Sequence, residues 1–259
     1  LGKIPVKLLI LFLFVFLLAL PQKNTYRDLN KNGRMDVYEN PRATIDARVE
    51  DLLSQMTLEE KTCQTATLYG FKRVLQDELP TANWKNEIWK DGIANIDEHL
   101  NGWAQGATSI YATDIEKHVW AMNEVQRFFI EQTRLGIPVD FTNEGLRGVA
   151  APVATSFPSQ LGVGHTWDPD LVREIGRITG REARALGYTN VYAPTLDVTR
   201  DQRWGRVEDT YGEDPFIASR LGVEMVKGLQ ENYTVASTAK HFVVYSATKG
   251  ARGSEARTD

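Results

Sequence analysis

Glu144, Arg206 and the adjacent pair Lys240-His241 are the side chains of this sequence best suited to hold a polyhydroxylated ligand. Glu144 follows the apolar run Ile137-Pro-Val-Asp-Phe141, so it falls at the end of a buried strand. There it accepts hydrogen bonds from ligand hydroxyls, or it pairs with Arg147; the residues leave both readings open. Lys240-His241 comes directly after Val235 to Ala239. An ammonium at a buried strand end is costly unless it is paired or faces a polar ligand. The alternative is a snorkelling lysine beside a histidine satisfied within the fold. Arg206 lies in the charged stretch Asp197 to Glu213, where alternating signs, a tryptophan and two glycines read as an ion-paired scaffold that fixes one arginine. Much of that scaffold is architecture, and any buried pair in it must be well hydrogen-bonded to be tolerated. Together the four residues would line a pocket that grips hydroxyls by charge-assisted hydrogen bonds.

A second pattern suits a cation. Asp28, Asn30, Asn32, Asp36 and Glu39 put oxygen-bearing side chains at positions 1, 3, 5, 9 and 12 of a calcium-type loop. Gly33 holds the sharp turn at position 6, and Arg34 at position 7 would contribute its carbonyl. The expectation is at best a structural calcium clip, because no helix is evident ahead of the loop. The alternative is a solvated Asn/Gly turn segment that binds no ion. Dinucleotide and phosphate loops, HExxH and the GxSxG elbow are absent from the sequence, and His99, His118 and His165 lack metal-like spacing.

The elements that must position these groups follow from periodicity and caps. Ile45, Val49, Leu52, Leu53 and Met56 predict a helix with one buried face, and Thr57 with Glu60 forms a capping box opening a short second helix. Thr113 with Glu116 is expected to cap a helix that runs to about Gly136. Residues 68–108, rich in Asn, Gly and Trp, resist assignment. Thereafter Ile137–Thr142, Asn190–Val198 and Val235–Phe242 read as buried strands. Between them, helices open at Asp168-Pro169 and Asp214-Pro215, and Gly187 stops the first. Strands alternating with capped helices predict an α/β fold with a parallel sheet. Polar clusters end all three strands, which favours a (β/α)8 TIM-like barrel over a doubly wound sheet with a single crevice.

The chain has 259 residues, 30 basic and 34 acidic, and a formal net charge of −4. That balance argues against a dedicated nucleic-acid binder. Cys63 alone excludes an intramolecular disulfide and a thiolate metal cluster. Leu8 to Leu20 is wholly apolar behind Lys3 and Lys7. At about 20 Å of helix it is short for a bilayer span, so residues 1–21 read as a secretory signal. An uncleaved membrane anchor is the alternative. The expected organisation is this leader, a polar segment over 22–41 with the calcium-like loop, and a barrel portion over 42–259. The element pattern stops short of barrel closure, so a truncated barrel is expected.

Several stretches carry a resemblance: Met56-Thr-Leu-Glu-Glu-Lys61, Gly136-Ile-Pro, Thr142-Asn-Glu-Gly-Leu-Arg-Gly148, Phe157-Pro-Ser-Gln-Leu-Gly162, Arg200-Asp-Gln-Arg-Trp-Gly-Arg206, Tyr211-Gly-Glu-Asp-Pro215 and Lys240-His-Phe242. In this order they resemble the N-terminal domain of glycoside hydrolase family 3. The resemblance implies a (β/α)8-like barrel and retaining hydrolysis of terminal, non-reducing β-D-glycosidic bonds. β-Glucosidase is the first expectation and β-xylosidase the second. By motif it places hydroxyl-binding roles on Glu144, Arg206, Lys240 and His241. Many members carry Asp in a motif ending His-Gly where this chain has Glu144 and Leu-Arg-Gly. Lys240-His-Phe-Val-Val-Tyr-Ser246 departs from the Lys-His-Phe-Pro-Gly-His of the N-acetylglucosaminidase branch, which argues against that specificity. The family's nucleophilic aspartate would lie beyond Asp259, so no catalytic carboxylate is assigned within the chain and this portion alone is expected to be inactive. No organic cofactor is implied; the expected partner is a β-linked glycoside, and the expected location periplasmic or extracellular. A non-catalytic carbohydrate-binding protein would share the same clamp and is the rival from another class.

Overall fold

The computed structural model describes residues 26–84, 86, 89–102, 109–243 and 245–246. The leader expected over 1–21 and the last thirteen residues lie outside them. The chain divides after Gln55 into two units.

In the first unit the polar segment folds around Glu39. Its carboxylate accepts from the backbone N–H of Leu29 at 2.6 Å and of Asp36 at 2.9 Å, the second as part of a capping box on the 3-10 turn Val37–Glu39. Helix α1 (Ile45–Gln55) is tied to this segment by Arg48, which donates to the Tyr38 carbonyl, and by Asp51, which accepts from the Tyr38 N–H. The buried face expected on α1 is not found: Ile45, Val49 and Leu53 are exposed, Ile45 by 76%. Spacing marks which residues share a face, but burial also needs a second apolar surface against that face.

The second unit is built on five short parallel strands in the order β1-β2-β3-β4-β5. These are β1 (Thr67–Tyr69), β2 (Asn95–Asp97), β3 (Asp140–Glu144), β4 (Asn190–Tyr192) and β5 (Ala236–Ser237). Register runs straight across: Tyr69, Asp97, Thr142, Asn190 and Ala236 stand side by side, and Glu144 faces Tyr192. An order that never reverses has no switch point, so the sheet is wound in one sense, as a barrel wall is. Side chains alternate. Ile96, Phe141 and Val191 enter the apolar core under the helices, while Asn95, Asp97, Thr142, Glu144 and Tyr192 share the opposite face.

Helices α2 (Leu58–Cys63), α3 (Ile110–Thr113), α4 (Ile115–Gln132), α5 (Gln160–Gly164), α6 (Pro169–Leu186) and α7 (Pro215–Leu229) complete the unit. The capping box on α2 forms in both directions. The caps at Asp168 and Asp214 form as expected, and Gly187 closes α6 at φ 98°. Helix α4 is capped by Asp114, whose carboxylate takes the Lys117 N–H; the Thr113 hydroxyl instead turns back to the Ser109 carbonyl.

The three expected strands are longer than the ladders that form. Before Asp140, the amide of Gln126 binds both the N–H and the carbonyl of Val139, removing that residue from pairing. After Tyr192, Pro194 has no N–H to give, and the amide of Gln160 holds the carbonyl of Thr195 at 2.6 Å. The unassigned stretch supplies β1 and β2. It also supplies Trp84 and Trp89, which pack edge-on against Phe128 and Phe129 of α4 at 5.5 and 5.6 Å between ring centres.

Candidate active site

The carboxyl ends of the five strands carry the polar groups. Glu144 is the last residue of β3, and Lys240 lies three residues beyond β5, bridged to Thr195. The Lys240 ammonium donates to both oxygens of Glu144, at 2.7 and 2.6 Å. It also sits 5.4 Å from the centre of the Tyr192 ring. Both ends of this pair are largely buried, where a paired charge is tolerated and an orphaned one is not. Glu144 therefore pairs with Lys240 and not with Arg147, which instead meets Glu208 at 2.6 Å on the surface.

His241 joins a second chain of contacts. Its Nδ1 lies 2.6 Å from Asp197, whose same oxygen accepts the His241 backbone N–H at 3.1 Å. Its Nε2 lies 2.9 Å from Arg206 Nη1. A guanidinium only donates, so Nε2 is the acceptor and the ring proton resides on Nδ1, directed at Asp197. Arg206 also donates from Nε to Asp209 at 2.6 Å. Burial acts to lower its pKa, but Asp209, with help from Tyr245 and Glu144, raises it above the ordinary value. Tyr245 closes the group, its ring centre 4.6 Å from that of His241 and 5.4 Å from that of Trp204. The structure thus brings Glu144, Arg206, Lys240 and His241 together, each held by a carboxylate, an ammonium or an arginine of the same group.

Of these residues Glu144, Arg206 and Tyr245 line a cleft of about 750 Å³, whose walls also include Tyr69, Arg73, Glu98 and Arg147; Lys240 and His241 reach it through Glu144 and Arg206. Its ionic side chains come largely as matched pairs, so it suits a neutral polar ligand better than an anion. Tyr69, Arg73 and Glu98 come from the unassigned stretch. The charged Asp97-Glu98-His99 directly after Ile93-Ala-Asn-Ile96 marks a strand end at Glu98, and nothing comparable marks Tyr69 or Arg73. Beside them Asp97 is 4% exposed. Burial, followed by the negative charges of Glu98 and Glu144, pushes its carboxyl up to about 7, against the pull of Arg73 and Lys240.

Among the described residues no three His, Cys, Asp or Glu side chains come together as a metal group. In the Asp28–Glu39 loop the carboxylates are occupied by protein donors: Asp28 by the N–H of Asn32 and Gly33, Asp36 by the side chains of Asn30, Asn32 and Arg34. A cation there would have to displace these bonds. No helix among the described residues is long and apolar enough to cross a membrane.

Comparison with known proteins finds relatives of this chain. Residues 91–259 match the model of the glycosyl hydrolase family 3 N terminal domain. The chain is 44% identical over 126 residues to a beta-xylosidase of Formosa agariphila, covering 43% of this chain and 17% of that protein. It is 32% identical over 212 residues to a periplasmic beta-glucosidase of Salmonella typhimurium, covering 80% of this chain and 24% of that one. The crystal structure of a beta-glucosidase from Listeria innocua in complex with glucose matches with a TM-score of 0.63 at 29% identity, over 80% of this chain and 28% of its own. The chain spans about a quarter or less of the length of these proteins.

Proposed function

Since this chain belongs to glycosyl hydrolase family 3, we propose that the whole protein carrying it hydrolyses terminal, non-reducing β-D-glycosidic bonds with retention of configuration. Glucosides are its first substrates and xylosides its second. The observation that carries this reading is the joined arrangement of Glu144 with Lys240 and of Asp197, His241, Arg206 and Asp209 at the carboxyl edge of a parallel sheet. A barrel enzyme places its chemistry on that edge.

The roles follow from the donor and acceptor inventory. Glu144 accepts from sugar hydroxyls and the guanidinium of Arg206 donates to them; Lys240 fixes Glu144 and keeps an N–H to give, while His241, both ring nitrogens engaged, fixes Arg206. Hydrogen bonds to ring hydroxyls that tighten as the sugar flattens toward an oxocarbenium ion lower the barrier; those that bind the ground state equally well do not. None of the four is assigned as nucleophile or as acid/base.

The test is hydrolysis of aryl β-glucoside and β-xyloside by the full-length protein, with the anomer of the first product read by NMR. Turnover with retention is expected. Saturable sugar binding without turnover would replace the enzyme with a carbohydrate-binding protein. Two further readings rest on sequence: export directed by residues 1–21, in company with a periplasmic relative, and calcium on the Asp28–Glu39 loop, supported by the spacing of its oxygens. For calcium, EDTA is expected to lower the melting temperature and calcium, not magnesium, to restore it. A melting curve indifferent to both removes the ion from the account.

A further inference from the structure

Glu98 lines the cleft from a backbone conformation that a glutamate rarely adopts, with φ at 53°. A non-glycine residue persists there only when its surroundings over-determine it, and such residues gather at ligand-binding sites. The surroundings here are specific. The Glu98 N–H donates to Thr142 of β3 at 2.9 Å, continuing the ladder past the end of β2. The next residue, His99, is fully buried and acts as a staple. Its Nδ1 accepts from the Phe71 N–H at 3.2 Å, which leaves Nε2 as the donor to the Glu78 carbonyl at 3.1 Å. Its own carbonyl accepts from the buried Tyr188 hydroxyl at 2.9 Å. The approach is so close that a Cβ on Gly70 would stand 2.5 Å from the His99 Cα. Glycine is required at that contact.

The same staple fixes the turn that follows β1. The Gly70 carbonyl accepts from the N–H groups of Arg73, Val74 and Leu75. Arg73 is thereby laid over the Tyr69 ring, its guanidinium carbon 3.4 Å from the ring centre, and one of its Nη groups donates to Glu98. Glu98 is 7% exposed and Arg73 42%, so the carboxylate is held rigidly while the guanidinium reaches the open cleft. Beneath them, the nearly buried Asp97 leaves its Oδ1 without a hydrogen-bond partner among the described residues.

We infer that Arg73 and Glu98, on the Tyr69 ring, form a second hydroxyl-reading clamp that determines which terminal sugar the cleft accepts. The sheet order places this clamp on the β1–β2 side of Glu144, with Arg206 and His241 on the β4–β5 side. A bound sugar is thus gripped from both flanks. One bond joins Arg73 to Glu98, while a guanidinium has five N–H donors and a carboxylate about four acceptor sites. The pair therefore has capacity left for a vicinal diol, whose oxygen takes an N–H and whose O–H gives to the carboxylate. Asp97, whose carboxyl is pushed up to about 7 by burial and by Glu98 and Glu144, still holds a proton about half of the time near neutrality, which weakens its competition with Glu98 for Arg73. The other charged groups bearing on it are Arg73 and Lys240.

This inference rests on the glycosidase reading, and the experiment separates the two. The full-length protein and its Glu98→Gln and Arg73→Lys variants are assayed with aryl β-glucoside, β-xyloside and β-galactoside, with melting temperatures measured alongside. The ratio of kcat/KM between at least two of the sugars is expected to shift tenfold or more in each folded variant. A site built to bind a hydroxyl discriminates strongly against the sugar that lacks or misplaces it. An active parent with variants whose ratios all stay within threefold overturns the clamp and leaves the glycosidase standing. A parent that turns over none of the three sugars overturns both. Arg73 is substantially exposed, so if Glu98→Gln fails to fold, Arg73→Lys decides alone.

Discussion

Asp97 and His99 stand two residues apart, and burial moves their titrations in opposite senses. Asp97 is pushed up to about 7 by desolvation, then by Glu98 and Glu144. His99 is pulled down to about 4, chiefly by desolvation. For Asp97 the folded chain holds the extra proton, so its contribution to stability is full below pH 4 and is lost as pH rises to about 7. For His99 the unfolded chain holds the extra proton, so stability is full above about pH 6.5 and is lost as pH falls to about 4. The two slopes oppose each other across pH 4–6.5. Asp97→Asn removes one of them. In that variant the melting temperature is expected to rise with pH between about 4 and 6.5 and then level off, and to exceed the parent's by about 2–4 °C at pH 8. Scanning calorimetry across pH 4–8 checks this; a variant that is less stable than its parent at pH 8 contradicts it. Arg206 offers a second test. It donates to Asp209 and His241 at once, a fork that lysine does not reproduce. Arg206→Lys in the full-length protein is expected to lower kcat/KM on an aryl β-glucoside by about a hundredfold, the loss of one or two charged hydrogen bonds. An unchanged kcat/KM would remove Arg206 from sugar binding.

Helices α6 and α7 meet along glycines. A Cβ on Gly176 would stand 2.7 Å from the Met225 carbonyl oxygen, and one on Gly228 would stand 2.2 Å from that of Arg173. Both obstacles are backbone and do not swing aside. Gly228→Ala is expected to destabilise the chain by about 1–3 kcal/mol, the range for overpacking a tight contact. That is a fall of several degrees in melting temperature, whereas alanine at an exposed helix position would be neutral or favourable. A melting temperature equal to the parent's would show that the helices are not locked at this seam. The same elements show what the sequence discloses. Caps at Asp168 and Asp214 and the stop at Gly187 were legible because their chemistry is local, within three residues. Glu144 and Lys240-His241 stood out as charge after apolar runs, and Arg206 as one arginine within a dense charged stretch. Strand ends were not, since Gln126 and Gln160 occupy backbone groups far away in sequence. β1 and β2, three residues each, are too short to show a period. With them went Tyr69, Arg73 and Glu98, whose place in the cleft depends on a histidine staple that no spacing reveals.

Over the whole molecule, the sheet order decides how the site is assembled. Five parallel strands wound in one sense bring residues from positions 69 to 241 to one edge, so the clamp is a product of topology more than of any single loop. Retaining hydrolysis asks for more than a clamp: a nucleophilic carboxylate and a second carboxyl about 5–5.5 Å from it. At this cleft Glu144 is committed to Lys240, Glu98 to Arg73, Glu208 to Arg147 and Asp209 to Arg206. A carboxylate engaged with a cation serves to position, and its nucleophilicity is reduced by the same pairing. The 259-residue chain purified by itself is therefore expected to release no aryl alcohol from an aryl β-glucoside under conditions in which the full-length protein does so. Measurable turnover by the chain alone would mean that one of these ion pairs opens to supply the nucleophile. Mass spectrometry of the chain after trapping with an aryl 2-deoxy-2-fluoro-β-glucoside would then identify the carboxylate that carries the glycosyl group.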